Sequence, residues 1–159
     1  MRRKAVLERN FMEKGYVGET YVIAKLMQDF NIASVKVPQR FFSYDLITSN
    51  NKRLEVKTAL IRKFERKFEK YPTSYSDAWE FRRNPKQIRE GSSHFVVCLG
   101  FQQKDYSDKP RCFIIPSEEL HGLSEVIKIT ANPKKRMKKN PRYWEYEDKW
   151  DLIRKEGNH

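Results

Sequence analysis

The sequence predicts an α/β fold with a mixed central sheet flanked by helices, extended by a basic loop and a C-terminal helix. Three observations predict it. Leu7, Phe11, Gly15, Gly18, Val22 and Leu26 recur at spacings of three and four over residues 3–30, the stripe of an amphipathic helix. Residues 43–58 read as two strands joined by the polar turn Ser49-Asn50-Asn51-Lys52. His94–Phe101 is a near-continuous apolar run, as expected of a sheet interior covered on both faces.

The elements follow in order. The first helix is expected over residues 3–30, with a break near Gly15-Tyr16-Val17-Gly18. Ile32–Val37 is a short apolar strand ended by Pro38, and the hairpin comes next. Leu60, Phe64, Phe68 and Tyr71 then make a helical stripe, with Arg62, Lys63, Arg66, Lys67 and Lys70 on the remaining surface and Pro72 at the end. A helix of that kind would track a phosphate backbone. It would equally be a solvated face, neutralised locally by Glu65 and Glu69. Tyr71–Asp77 reads as a loop. Trp79 and Phe81 alternate as in a strand, and Asn84-Pro85 opens a short helix that carries Gln87. Arg111–Ile115 is a strand closed by Pro116, Ser117–Leu120 a capped helical turn, and Val126–Thr130 a last strand.

Composition bounds the partners. The chain has 159 residues, the length of one ordinary domain, and a net charge of +12 that points to a polyanionic partner. Nucleic acid is the first candidate. No apolar run approaches the roughly 18 residues of a membrane span. Met1-Arg2-Arg3-Lys4 is basic but no apolar core of a signal peptide follows, so a cytoplasmic or intracellular location is expected. Cys98 and Cys112 fall in separate strands and read as buried thiols, while His94, His121 and His159 are isolated and read as structural or surface residues. No zinc-ligand spacing supports a deaminase.

The basic charge concentrates late. Lys134, Lys135, Arg136, Lys138 and Lys139 stand between two prolines and Arg142 directly follows the second, with no acid among them, a candidate phosphate-binding loop. Tyr143, Tyr146, Trp150 and Ile153 are spaced as one apolar face of a terminal helix that docks on the preceding residues. The chain thus divides into a domain over 1–131 and a docked loop and helix over 132–159. The aromatics Tyr71, Tyr75, Trp79 and Phe81 suit either an interface, base stacking or the core.

The chemistry lies in the hairpin. Side chains alternate along a strand, so Glu55 and Lys57 share one face while Leu54 and Val56 share the other. A hairpin centred near Asn50 sets Asp45 opposite Glu55, and like charges facing across strands repel. A divalent cation between the carboxylates would relieve that cost. A lysine one step along the same face would complete a site for attack on a phosphodiester.

Asp45, Glu55 and Lys57, in the spacing Asp-x9-Glu-x-Lys, resemble the signature of the PD-(D/E)XK nuclease superfamily, with Tyr44 where the signature has proline. The resemblance covers residues 1–131 and implies the restriction-endonuclease-like αβββαβ core, as in Holliday junction resolvases. It implies a Mg²⁺-dependent endonuclease acting on DNA, with Mn²⁺ able to substitute. Asp45, Glu55 and the Val56 carbonyl would hold the metal, and Glu19, on the first helix, would bind a second ion directly or through water. Lys57 would orient water or contact the phosphate, and Gln87 would be auxiliary. Cutting duplex or branched DNA on both strands implies a homodimer. The competing reading is a non-catalytic nucleic-acid-binding module on the same fold, which a degenerate site would favour; here the set is intact.

Overall fold

The N-terminal stripe forms one unbroken helix, α1 (Arg2–Phe30). The structure is a computed structural model that describes residues 2–38, 43–67, 69–85, 92–120, 126–132 and 142–155, with backbone alone for 2–13. The break expected near Gly15–Gly18 is absent. Gly18 instead serves packing: a Cβ there would collide with Thr58 Oγ1 and press on Val56, so glycine lets α1 lie close against the sheet. Val22 and Leu26 of the stripe are fully buried; Leu7 and Phe11 lie outside the described side chains. Asn31, at φ 54°, ends the helix, and the Ile32 N–H donates to the Leu26 carbonyl at 3.0 Å.

Five strands form the central sheet: β1 (Ser34–Lys36), β2 (Leu46–Thr48), β3 (Arg53–Leu60), β6 (Phe95–Phe101) and β7 (Arg111–Pro116), in the order β1-β2-β3-β6-β7. All neighbours are antiparallel except β3 and β6, so the sheet is mixed, as predicted. A parallel pair needs a long crossover. Here that crossover holds β4 (Arg62–Arg66) and β5 (Ser74–Arg82), which join β8 (Val126–Thr130) in a second, antiparallel sheet ordered β4-β5-β8. The helix expected over 60–71 is therefore a strand extended from β3, and the loop expected over 71–77 is largely β5. The short helix expected after Asn84-Pro85, and Gln87 on it, lie outside the described residues.

The central sheet is covered on both faces, as the apolar run of β6 requires. One face packs on α1 through Leu46, Leu54, Val97, Leu99 and Ile114. The other meets the second sheet, where Trp79, Phe81, Ile127 and Ile129 pack on Val96, Cys98, Phe113 and Ile115. Trp79 lies flat on Gly100, where a Cβ would strike its ring, and donates its Nε1–H to the Phe101 carbonyl at 3.0 Å. Trp79 and Phe81 thus belong to the core, while Tyr71 and Tyr75 are exposed. Cys98 and Cys112 are buried free thiols, and burial pushes the Cys112 thiol up to about 12.

The C-terminal segment is a strap rather than one continuous helix. A 3₁₀ turn (Trp144–Tyr146) and a one-turn helix, α2 (Asp151–Arg154), are separated by Asp148 at φ 54°. Between them the strap closes the free edge of β7: Glu147 bridges Phe113, and the Asp148 N–H donates to the Cys112 carbonyl at 2.8 Å. Arg111 holds Glu147 in a two-bond fork at 3.1 and 2.6 Å. Over its described residues, 142–155, the strap packs against the rest of the chain and divides its apolar residues. Tyr143 joins the core under the second sheet, and Trp150 and Ile153 join the core under α1.

Candidate active site

The turn between β2 and β3 sets the register of the site. Asn51 adopts φ 64°, its N–H donates to the Thr48 carbonyl at 2.9 Å, and the Lys52 N–H donates to Thr48 Oγ1 at 2.8 Å. Leu46 consequently pairs with Leu54 and Ile47 with Arg53, and one further step sets Asp45 beside Glu55. Alternation along β3 sends Leu54, Val56 and Leu60 to the α1 side and leaves Glu55 and Lys57 on the opposite face.

Asp45 is nearly buried and fixed by backbone. Its Oδ2 accepts the Val56 N–H at 2.7 Å, and its own N–H donates to the Leu54 carbonyl at 2.8 Å. Val56, expected as a carbonyl donor, is seen in this bond through its amide. Tyr44, in the position of the signature's proline, lies under the Arg53 guanidinium at 5.9 Å.

Glu55 is fully buried. Arg83, just beyond β5, donates from Nε and Nη2 to its Oε2 at 3.1 and 2.9 Å, and Nε lies 3.4 Å from Oε1. Lys57 Nζ stands 3.8 Å from the same Oε1. The Arg83 side chain is itself only 7% exposed, so the two charges are answered inside the protein. Two carboxylate oxygens offer about four acceptor positions; Arg83 fills Oε2 with two bonds and reaches Oε1 with a third, longer one, and Lys57 stands on the Oε1 side.

Glu19 arrives from α1, positioned by the close approach at Gly18. It pairs with Lys36 of β1 at 3.4 Å. Burial and then the Asp45 charge push its carboxyl above the usual carboxylate range, against the opposing pull of Lys36 and Lys57. Lys14, one turn earlier on α1, is lowered by burial and by the Lys57 charge. Glu19, Asp45, Glu55 and Lys57 are thus brought into one neighbourhood, with Lys14, Lys36 and Arg83 around them.

Arg83, Lys14 and Lys36 were not among the residues the motif implied. Arg83 did carry a signal: it continues the alternation Trp79, Phe81, 83 toward the core, where an arginine demands a buried acid. Of the predicted basic loop, Lys134, Lys135, Arg136, Lys138 and Lys139 lie outside the described residues, and Arg142 is exposed, 5.0 Å from the Tyr143 ring. His94 is structural, accepting the Arg53 N–H on Nδ1 at 2.9 Å.

The donor set is made only of oxygens, the chemistry that suits a hard cation such as Mg²⁺. The mutual field of Glu19 and Asp45 fits such an ion, whereas Glu55 is already engaged by Arg83 on both oxygens. Among the described residues, no group of three or more His, Cys, Asp or Glu side chains is gathered closely enough to form a finished metal centre. Nor is any helix among them long and apolar enough to cross a membrane.

No protein-family model and no curated protein matches the chain. Among solved structures, the fold is similar to that of a bacterial homing endonuclease, I-Ssp6803I, with a TM-score of 0.60, 17% sequence identity and 88% of each chain covered. At that identity the likeness concerns the fold: the mixed α/β architecture derived above is one that a homing endonuclease also adopts.

Proposed function

We propose that this chain is a metal-dependent endonuclease of the PD-(D/E)XK type that hydrolyses phosphodiester bonds in DNA. The observation that carries the reading is the hairpin register, which sets Asp45 beside Glu55 with Lys57 one step along the same face. Glu19, in the field of Asp45, and the fold shared with a homing endonuclease support it.

In this reading Asp45, Glu55 and the Val56 carbonyl hold Mg²⁺, or Mn²⁺ in its place, and Glu19 assists with a second ion or through water. The ion would supply charge relief on the phosphate and ease deprotonation of water. The remaining work belongs to the chain. Lys57, on the exposed side of buried Glu55, would contact the scissile phosphate and orient the attacking water. Arg83 would fix Glu55 chiefly through Oε2, with the longer bond to Oε1 the one an arriving ion displaces. Lys14 and Lys36 would add positive field at a polyanionic substrate. A homodimer would bring two such sites to the two strands of a duplex.

A second reading has its own observation. Arg83 occupies Glu55 and no finished metal centre is gathered among the described residues, which favours a nucleic-acid-binding module without cleavage. Incubation with supercoiled plasmid, linear duplex, a four-way junction and structured RNA, in Mg²⁺, Mn²⁺ or EDTA, separates the two. The endonuclease reading expects metal-dependent cleavage of a DNA substrate. Salt-sensitive binding with no cleavage of any substrate would replace it with the binding module.

A further inference from the structure

The β4–β5 hairpin is longer than the sheet that supports it. Among the described residues β8 pairs with β5 from Arg82 to Ala78, and the Ala131 N–H donates to the Asp77 carbonyl at 2.8 Å, whereas β4 pairs with β5 from Ala78 back to Ser74. Beyond Asp77 no third strand pairs with the ribbon among the described residues, and its turn residues 67 and 69–73 are exposed.

Charge is segregated between the faces of this ribbon. The register places Arg62 opposite Ala78, Phe64 opposite Ser76 and Arg66 opposite Ser74, all turned away from Trp79 and Phe81. Lys63 opposite Asp77 and Glu65 opposite Tyr75 occupy the other face. Both acids between Ser74 and Ala78 or on β4 thus lie on one side; the Arg62–Phe64–Arg66 side there carries cations, an aromatic ring, serines and Ala78, and the next acid on that face, Glu80, is paired with Arg82 at 2.6 Å. Lys128 of β8 joins that side, with Nζ 3.8 Å from the Phe64 ring, and the Arg62 guanidinium lies 5.7 Å from the same ring.

We infer that this ribbon enters the major groove of duplex DNA with its Arg62–Phe64–Arg66 face toward the base edges. A B-form major groove admits a two-stranded ribbon, arginine forks match guanine, and serine hydroxyls accept or donate as the base requires. The reach is suitable. Arg62 follows Lys57 by five residues, at most about 17 Å of extended chain, or half a helical turn of DNA. A duplex with a phosphate at Lys57 therefore passes within reach of the ribbon. The choice of DNA rests on the endonuclease reading; the groove contact does not depend on cleavage.

The test is binding of a 40-base-pair mixed-sequence DNA duplex and of the RNA duplex of the same sequence, titrated with salt in EDTA. A-form RNA closes its major groove to side chains, so groove entry predicts a DNA preference. Arg62→Ala/Arg66→Ala should lose about tenfold or more in affinity for DNA, flatten the salt slope by about 2, and abolish the preference over RNA. Arg62→Lys/Arg66→Lys should keep most of the salt slope yet narrow the preference, because the charge remains and the fork is lost. Lys57→Ala should keep the preference. Equal DNA and RNA binding by the unmodified chain, or an alanine pair that binds DNA unchanged, overturns the ribbon assignment and leaves the endonuclease reading standing. Absence of any duplex binding overturns both.

Discussion

Arg83 and Glu55 form the most consequential contact at the scale of single residues. Breaking a buried ion pair from one side leaves the other charge without an answer, at a cost of about 3–5 kcal/mol. Arg83→Ala should therefore lower unfolding free energy by about that amount in denaturant titration, with the Lys57 contact at 3.8 Å moderating it. A loss under about 1 kcal/mol would mean that the pair is solvated and exchangeable. Glu19 gives a prediction in pH. Its carboxyl lies above its unfolded value, so the protonated form is the one folding favours. Its contribution is intact below the unfolded carboxylate range and is lost as pH rises through the folded value. Glu19→Gln should consequently raise Tm at neutral pH, and the gain should fade as the buffer is brought toward pH about 4. Asp45, Glu55 and Lys57 were legible from spacing alone because a hairpin converts distance from its centre into proximity. Lys36, from β1, was not, and the alternation through Trp79 and Phe81 turns Arg83 inward without naming the acid it meets, because pairing across elements leaves no local spacing to read.

Among elements, α1 against β3 decides where Glu19 stands. Alanine in place of glycine favours a helix by about 1 kcal/mol, while overpacking a close contact costs about 1–3 kcal/mol. Gly15 has open space around it, whereas Gly18 faces Thr58 Oγ1 and Val56. Thermal melts of the two variants should thus move in opposite directions, Gly15→Ala upward and Gly18→Ala downward. Two stabilising substitutions would refute the close approach. Element type was readable where one face is buried, as in α1, β3 and β6. Residues 60–71 misled because a ribbon with water on both sides carries cations on both, and Leu60, Phe64, Phe68 and Tyr71 imitate a helical stripe. In fact Arg62, Phe64 and Arg66 alternate as strand residues against Ser74, Ser76 and Ala78. The C-terminal stripe misled differently. Its spacing is helical, but its residues serve two cores across the edge of β7.

At the scale of the whole molecule, the strap ties these parts together. Asn50, in the turn that sets the site's register, donates from Nδ2 to the Ile153 carbonyl at 2.7 Å, and Trp150 fills the core under α1. Trp150→Ala should cost about 3–5 kcal/mol in chemical unfolding, and a near-neutral result would show that the strap does not anchor the domain. That the central sheet is covered on both faces followed from the apolar run of β6; that a second sheet supplies one cover did not, because β4 is charged on both faces and lacks the apolar–polar alternation of a half-buried strand. The proposed activity places phosphodiester cleavage on the face bearing Asp45, Glu55 and Lys57. The most direct measurement is the nicking rate of supercoiled plasmid in Mg²⁺ by the unmodified chain and by Lys57→Ala, purified side by side, with EDTA as the control. The unmodified chain should nick the plasmid, EDTA should stop it, and the variant should be slower by at least about 100-fold. Equal rates in the two proteins would contradict the proposed activity.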